Sequence, residues 1–573
     1  MSNTNYILKN IEPLQNTISE LQEKGIDPII SQLYALRGIQ NFSDVNLLQK
    51  LEPWNTMLNI DKAAKILSQA IIAKKKICVV ADYDTDGATS CAIALLGVRM
   101  FGGNIDYIVP NRFIHGYGLT ASVVDDVYKK VKPDLIITVD NGTSSFEGID
   151  HAHKYKIEVL VTDHHLAADK LPDAECIVNP NQPGCPFKSK NIAGCGVIFY
   201  VLCALRQKMI NLNLYTPQTA PNVFNLLDLV AVGTIADVVK LDLNNRIMVH
   251  HGLSLIHKKR TRPGIIALAD IAKKDYSTLS TTDIGFGIGP RLNAAGRLED
   301  MSIGIQTLLT DNFTKAQELS KQLDSINKKR KSIENDMKEI ALDLPDLTSY
   351  QYSKVVYDET FHEGVIGIVA SRIKELFYRP TIVLAPAAEE GYIKGSARSI
   401  PEIHMRDALD YVHKKDNNIL VKFGGHSMAA GMTIKQENLE RFKQLFDEAV
   451  QFFCNDKELK NIKEIDIQLD TPQINLDLAK LLRKEIWGQG FTTPLFSGIF
   501  NIKEQKILKE EHLRITLEKD GVEFVGMWFF NNQPIESNSA HIVYSVSVNE
   551  FLGDESVQLL IDGIVPSPVN QSI

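Results

Sequence analysis

Short apolar runs alternate with amphipathic stretches through the first half of this chain. Ile77–Ala81, Ile105–Val109, Leu135–Val139, Val159–Thr162 and Cys176–Val178 are too short for buried helices and read as strands. Helix-like segments separate them, and one of these, Ala88–Phe101, ends at Gly102-Gly103. Strands spaced by helices predict a parallel sheet with both faces covered. Residues 311–343 contain no Gly or Pro and carry a stripe at Leu319, Leu323, Ile326, Ile333 and Met337, which predicts a long helix bridging two lobes. A second α/β unit follows, with strands expected at Ser353–Val356, Thr381–Leu384 and Tyr392–Ala397 and a helix from Val365 to Phe377. From about residue 464 the texture turns β-like, at 497–503, 512–518, 522–530, 541–548 and 557–564. Lys519-Asp520-Gly521 marks a tight hairpin between two of these segments.

The fold class expected is α/β: two α/β lobes joined by a long helix, with a C-terminal OB-fold β-barrel. The expected divisions are a helical lead-in over 1–60, a first lobe over 61–310, a connecting helix over 311–345, a second lobe over 346–455 and the barrel over 456–573. A length of 573 residues requires several such domains. Hydrophobic content of 44% and charged content of 23% suit a soluble globular protein. Seven scattered Cys with no CxxC pair argue against a disulfide framework and for the cytoplasm, and MSNTNYILKN lacks a signal pattern. The apolar run 226–239 is broken by Asp228 and Asp237, so no membrane span is expected. A net charge of −8 leaves no global basic footprint, so a nucleic-acid ligand would need a local groove.

Candidate chemistry gathers where the strands end. Asp82-Tyr83-Asp84-Thr85-Asp86-Gly87, Asp140-Asn141-Gly142 and Asp163-His164-His165 each follow a predicted strand, and Asp237 is read as a fourth acid of the same kind. Strand ends in an α/β sheet converge on one crevice, where such carboxylates repel unless divalent ions neutralise them. An EF-hand loop is excluded, because its twelfth position is Ile93 where a bidentate Glu is required. Carboxylates with imidazoles and no thiolate favour Mn²⁺ or Mg²⁺, and so many acids imply two ions. Two ions about 3.5–4 Å apart generate hydroxide near neutral pH and stabilise phosphoryl charge. Asp140 suits a bridging ligand, with Asn141-Gly142 turning the chain beneath it. His164 suits direct ligation, and His165 suits a hydrogen bond to phosphate or delivery of a proton. There is no GxxxxGK[ST], and Gly285-x-Gly287-x-Gly289 follows no predicted strand, so P-loop and dinucleotide readings fail.

The order DYDTDG, DNG, DHH and ADV resembles the DHH phosphoesterase superfamily. Five longer motifs narrow the resemblance to the RecJ family of single-strand-specific 5′→3′ DNA exonucleases: PRLNAAGRL (Pro290–Leu298), HEGVIGIVASR (His362–Arg372), GSARS (Gly395–Ser399), GGHSMAAG (Gly424–Gly431) and WGQGFTTPLF (Trp487–Phe496). The resemblance implies a two-metal phosphoesterase that releases 5′-mononucleotides in recombination and repair. It implies a metal centre of Asp82, Asp84, Asp86, Asp140, Asp163, His164 and Asp237, with Asp84, Asp140, His164 and His165 catalytic. It further implies that Arg112, Arg291, Asn293, Ser396, Arg398 and His426 bind substrate. The barrel would guide single-stranded DNA, with Trp528, Phe529 and Phe530 available for base stacking. The implied partners are single-strand-binding protein and a RecQ-type helicase, with no membrane and a monomeric enzyme. The alternative is a DHH-type phosphodiesterase of short oligonucleotides or cyclic dinucleotides, disfavoured by residues 464–573 because those relatives lack a barrel.

Overall fold

The computed structural model describes residues 4–39, 46–111, 116–167, 170–455, 457–551 and 553–565. Its first lobe is built on a five-stranded parallel sheet whose spatial order is Asn104–Ile108, Lys76–Ala81, Leu135–Val139, Glu158–Thr162, Cys176–Val178. In chain order this is 2-1-3-4-5, so the direction of strand addition reverses between the first and third strands. The pleat explains why these runs are apolar throughout. Ile77, Val79 and Ala81 enter one core while Cys78 and Val80 enter the core on the opposite face.

The helix after the first strand is Thr85–Met100, three residues longer at its start than the sequence pattern suggests. The extension places the DxDxDG run on the strand-to-helix junction. Residues 182–310 add mostly helices, and the PRLNAAGRL motif is itself the helix Gly289–Leu298. The N-terminal segment, expected to be helical, opens with a strand, Thr4–Leu8, paired in parallel with Asn461–Ile465.

A helix of 31 residues, Phe313–Asp343, connects the lobes and spans about 46 Å at 1.5 Å per residue. Glu334 on this helix pairs with Arg330 and accepts from Arg372 Nε (3.1 Å) on the second-lobe helix Ile366–Phe377. The second lobe holds a mixed sheet in the order Leu420–Gly425, Ala429–Lys435, Tyr392–Arg398, Thr381–Pro386, Lys354–Tyr357. The first two of these strands form a hairpin around His426 that the sequence pattern does not announce. Gly424, Gly425 and Gly431 dilute the β signal, and only pairing with Tyr392–Arg398 fixes the conformation.

The C-terminal strands Phe496–Leu508, His512–Lys519, Val522–Trp528, Ser539–Phe551 and Asp554–Ile564 close into a barrel, because the first also pairs with the fourth. This is the OB-fold expected from the sequence. Asp520 (φ 51°) and Gly521 (φ 79°) form the two-residue left-handed turn that a tight hairpin requires. One apolar core runs from Leu21, Leu33 and Tyr34 through the first lobe into Phe496, Phe500 and Ile515 of the barrel. The second lobe keeps its own core. The barrel is therefore welded to the first lobe, while the second lobe is held chiefly through the long helix and the cleft.

Phe500 is fully buried against Phe524 and Tyr544, with ring centroids 6.2 and 5.6 Å away. Phe500→Ala is expected to lower barrel stability by about 3–5 kcal/mol, read as an earlier thermal-unfolding transition.

Candidate metal centre

The sheet delivers three aspartates to one edge by a continued ladder. The Asp82 N–H donates to Val139 O (3.4 Å), the Asp140 N–H to Thr162 O (3.0 Å), and the Asp163 N–H to Val178 O (3.1 Å). Each acid is the first residue past its strand, and Asp82 and Asp140 flank the point where strand order reverses, the usual ligand crevice of this architecture. Asp140 is left-handed (φ 61°), and Gly142 (φ 116°) completes the sharp turn. Asp84 is the N-cap of helix Thr85–Met100, with its Oδ1 accepting the Gly87 N–H at 2.9 Å. Asp86 accepts the N–H groups of Gly194 (2.6 Å) and Cys195 (2.9 Å) at the start of helix Gly194–Asn211. Asp237 differs from the expectation. It follows the helix Leu227–Ala236, since the apolar run there is a buried helix and not a strand. The next residue, Val238, is a β-branched side chain in left-handed backbone (φ 59°), a strained conformation of the kind found at functional sites.

These acids surround one imidazole. His164 Nε2 lies 3.1 Å from Asp140, 3.5 Å from Asp237 and 3.9 Å from Asp86. Three ligand groups each fall within 4.8 Å: Asp82 with Asp84 and Asp140; Asp86 with His164 and Asp237; and Asp140 with His164 and His165. Asp140 and His164 each belong to two of the groups. The donor set fits divalent cations for a physical reason. Among the described residues, buried oxygens of Asp140 and Asp237 have no hydrogen-bond partner, a costly arrangement unless a cation satisfies them. Burial, then the charge of Asp86 and its neighbours, raises Asp140 and Asp237 well above the usual carboxylate range and raises Asp84 likewise. Burial lowers His164, leaving the neutral imidazole that ligation requires.

Asp163 is placed differently from the other acids. Its Oδ1 accepts the His164 N–H (2.7 Å), the His165 N–H (3.1 Å) and His165 Nδ1 (2.8 Å), and its Oδ2 accepts the Thr143 N–H (3.0 Å). The structure thus makes Asp163 the organiser of the two histidines and includes it in none of the three ligand groups. Burial pulls His165 down, but its hydrogen bond to Asp163 prevails and holds it at about 9. The Tyr117 ring meets the His165 ring edge-on at 6.0 Å, and the Tyr117 hydroxyl lies 3.3 Å from His165 Nε2.

Between the lobes lies a cavity of about 420 Å³ lined by Tyr83, Tyr117 and Arg297 of the first lobe and by Glu363, Lys394, Ser396, Arg398 and Lys422 of the second, with Lys394 Nζ paired to Glu363 at 3.1 Å. Arg398 donates only to Ser396 Oγ (3.0 Å) and Ala397 O (2.8 Å), and no carboxylate among the described residues neutralises it. Such a guanidinium is free to receive an anion. His426 sits at the hairpin turn, and burial and then the charge of His165 lower it. Arg291 and Asn293 do not line this cavity. Arg291 donates to Asp324 (2.9 Å) and Gly287 O (2.6 Å), and the Asn293 side chain accepts from Thr85. Arg112 lies outside the described residues. Sequence reasoning missed Tyr83, Tyr117, Arg297, Lys394 and Lys422. Tyr117 alone carried a signal, being flanked by Gly116 (φ 76°) and Gly118 (φ 77°), which free the backbone to aim its ring.

Comparison with known proteins agrees along the chain. Family models match as the DHH family N-terminal domain over residues 76–234, the DHHA1 domain over 347–451 and the RecJ OB domain over 465–563. A Haemophilus influenzae protein named single-stranded-DNA-specific exonuclease RecJ is 42% identical over 571 residues, covering 97% of this chain and 98% of its own. RecJ of Thermus thermophilus, crystallised with Mn²⁺, superposes with a TM-score of 0.82 at 26% identity, over 99% of this chain and 80% of that one. The same Thermus protein crystallised with Mg²⁺ superposes with a TM-score of 0.76 over 99% of this chain.

The raised carboxylates set a pH dependence. A group whose pKa is higher folded than unfolded contributes stability below its unfolded value and loses it as pH rises through the folded value. Asp84, Asp140 and Asp237 are all raised, so the metal-free protein is expected to lose stability from about pH 4 upward as these groups ionise. Divalent ions reverse that loss, by about 2.7 kcal/mol at a hundredfold excess over Kd, and more at pH 8 than at pH 5. Thermal unfolding in EDTA and in Mn²⁺ at the two pH values checks this; a metal-induced shift that is larger at pH 5 contradicts it.

Proposed function

The chain belongs to the RecJ family of DHH phosphoesterases, and from that membership we propose that it is a metal-dependent single-stranded-DNA exonuclease working 5′→3′ and releasing 5′-mononucleotides in recombination and repair. Mn²⁺ or Mg²⁺, two ions, is its cofactor. The observation that carries the reading is the convergence of Asp82, Asp84, Asp86, Asp140, His164 and Asp237 at one sheet edge, with buried oxygens of Asp140 and Asp237 unmatched among the described residues, beside a cleft that holds the unneutralised Arg398.

When bound, the ions supply the acidity that makes hydroxide near neutral pH and the charge that steadies the phosphoryl oxygens. The chain's own residues do the rest. Arg398, with Ser396, Lys394 and Lys422 beside it, holds the 5′-terminal phosphate in the second-lobe wall. Tyr83 and Tyr117 offer ring edges to the terminal nucleotide opposite that wall. Asp163 orients both histidines, and His165, held protonated, donates to the phosphate or to the departing oxygen. A cavity of about 420 Å³ suits one nucleotide of an unpaired strand and not a duplex.

The barrel favours a long substrate over a cyclic dinucleotide. Phe529 (49% exposed) and Phe530 (82% exposed) flank His512 at 5.3 and 5.2 Å, and Lys506 stands directly opposite Arg514 on the neighbouring strand. Exposed rings beside paired cations are the chemistry of single-strand binding. Trp528 turns partly inward beside Leu513 and contributes less. We divide the chain into a lead-in over 1–60, a catalytic domain over 61–310, a connecting helix, a substrate-binding lobe over 346–455 and a barrel over 456–573. Family resemblance supports single-strand-binding protein and a RecQ-type helicase as partners, with a monomeric enzyme in the cytoplasm.

Asp140→Ala is expected to reduce turnover of a 5′-labelled single strand by at least about 10³-fold while the protein still binds that strand, and EDTA is expected to silence the native enzyme. Full activity in EDTA overturns the reading. Arg398→Ala is expected to raise KM for 5′-phosphorylated ends by about tenfold or more and to alter 5′-hydroxyl ends less. Equal loss on both ends removes the phosphate role.

A further inference from the structure

The PRLNAAGRL helix touches three parts of the molecule at once. Both the Thr85 N–H and the Thr85 hydroxyl donate to Asn293 Oδ1, each at 2.8 Å, and the same hydroxyl reaches Gly289 O at 3.2 Å. Thr85 is the first residue of its helix, fully buried between Asp84 and Asp86. Its N–H is one of the donors that a helix start leaves without an internal partner. Asp84 caps Gly87, so the Asn293 side chain completes the cap from elsewhere in the chain.

The same helix lies against the loop so closely that a Cβ on Gly296 would stand 1.7 Å from Tyr83 O. At its far end Arg297 Nη1 donates to Gly364 O (3.3 Å), and a Cβ on Gly364 would stand 2.3 Å from Arg297 O. Arg291 fastens the helix to Asp324 on the long connecting helix, with Nη2 at 2.8 Å. The carboxylate-bearing loop, the connecting helix and the second lobe therefore share one short rod.

Building on the two-metal reading, we propose that helix Gly289–Leu298 sets the register of the Asp82–Asp86 loop and links it to the second lobe, with Asn293 as a positioning residue. Asn293 acts through Thr85 and not on the strand, because its acceptor oxygen is already committed to Thr85. The motif thus gives the cleft wall a mechanical hold on the metal site. A displacement of the second lobe at Gly364 is passed through Arg297 to the segment carrying Asp82, Asp84 and Asp86.

The test measures the Mn²⁺ concentration for half-maximal cleavage, with KM for a 5′-phosphorylated strand and strand affinity in EDTA. Asn293→Ala is expected to raise the Mn²⁺ midpoint about tenfold, the effect of losing the acceptor of the buried Thr85 donors, while metal-free strand affinity stays unchanged. Asn293→Asp keeps an oxygen for both Thr85 hydrogens and is expected to restore most of the loss; a residue contacting phosphate would instead give a higher KM with Asp than with Ala. Should Asn293→Ala fail to fold, a folded and active Asn293→Asp enzyme still identifies the acceptor as the requirement. Gly364→Ala, in the lobe that holds none of the candidate ligands, is expected to raise the same midpoint severalfold. An unchanged midpoint in Asn293→Ala, or a raised KM confined to Asn293→Asp, overturns the positioning role, and an unchanged midpoint in Gly364→Ala overturns the link. Asp140→Ala run in parallel separates the failures: if it is active the metal reading falls, and if it is inactive beside an unaltered Asn293→Ala only the present inference falls.

Discussion

Mutual repulsion of buried carboxylates is the constraint to which the rest of this molecule answers. Two unit charges 4 Å apart repel by about 4 kcal/mol at an effective dielectric of 20. Here Asp86, Asp140 and Asp237 gather around His164, and Asp82 and Asp84 close on Asp140, with little water to screen them. A fold that keeps such a cluster must supply compensating donors, accept protons or hold cations. It does the first for Asp84, Asp86 and Asp163, whose oxygens take backbone N–H groups. It leaves oxygens of Asp140 and Asp237 for cations. Within this single acidic set Asp163 turns its oxygens to Thr143 and the two histidines, while Asp82, Asp84, Asp86, Asp140 and Asp237 fall in the ligand groups.

The architecture holds that cluster rigidly on one side and openly on the other. The doubly wound sheet places Asp82 and Asp140 on neighbouring strand ends, and the apolar core continues from the first lobe into the barrel without a break. The second lobe keeps a separate core and meets the rest through a smaller apolar cluster, in which Met337 and Ala341 of the long helix pack with Val365, Val369 and Ile373 beside Leu298. The cleft between them can thus present cations and rings from opposing walls. The long helix restrains the second lobe through Arg330, Glu334 and Arg372, and the PRLNAAGRL helix restrains it again through Arg297.

Several assignments legible in the motifs changed meaning in three dimensions. DxDxDG, DNG and DHH were readable because catalytic acids follow strands, and strands have a short apolar signature. Asp237 was readable only by motif, since a fully buried helix and a buried strand look alike in a run of apolar residues. Arg291 and Asn293 belong to a genuine motif, yet their side chains serve Asp324 and Thr85 and not the cleft. The hairpin bearing His426 was hidden because its glycines read as a loop until a neighbouring strand supplies the pairing. Lys394 and Lys422 gave no signal, as a cation in isolation has no periodicity, and Tyr83 and Arg297 lay inside quoted motifs that did not mark them as cleft residues.

The sequence by itself determined the layers, the helix between the lobes, the barrel and the identity of the acids, because these follow from local hydrophobic period, turn chemistry and donor type. Only the tertiary structure decided which acids accept backbone N–H groups, and which arginines are spent on carboxylates and which remain free. Those outcomes depend on contacts between residues far apart in the chain, where packing and electrostatic neutralisation act at distances of a few ångströms that no spacing along the sequence encodes.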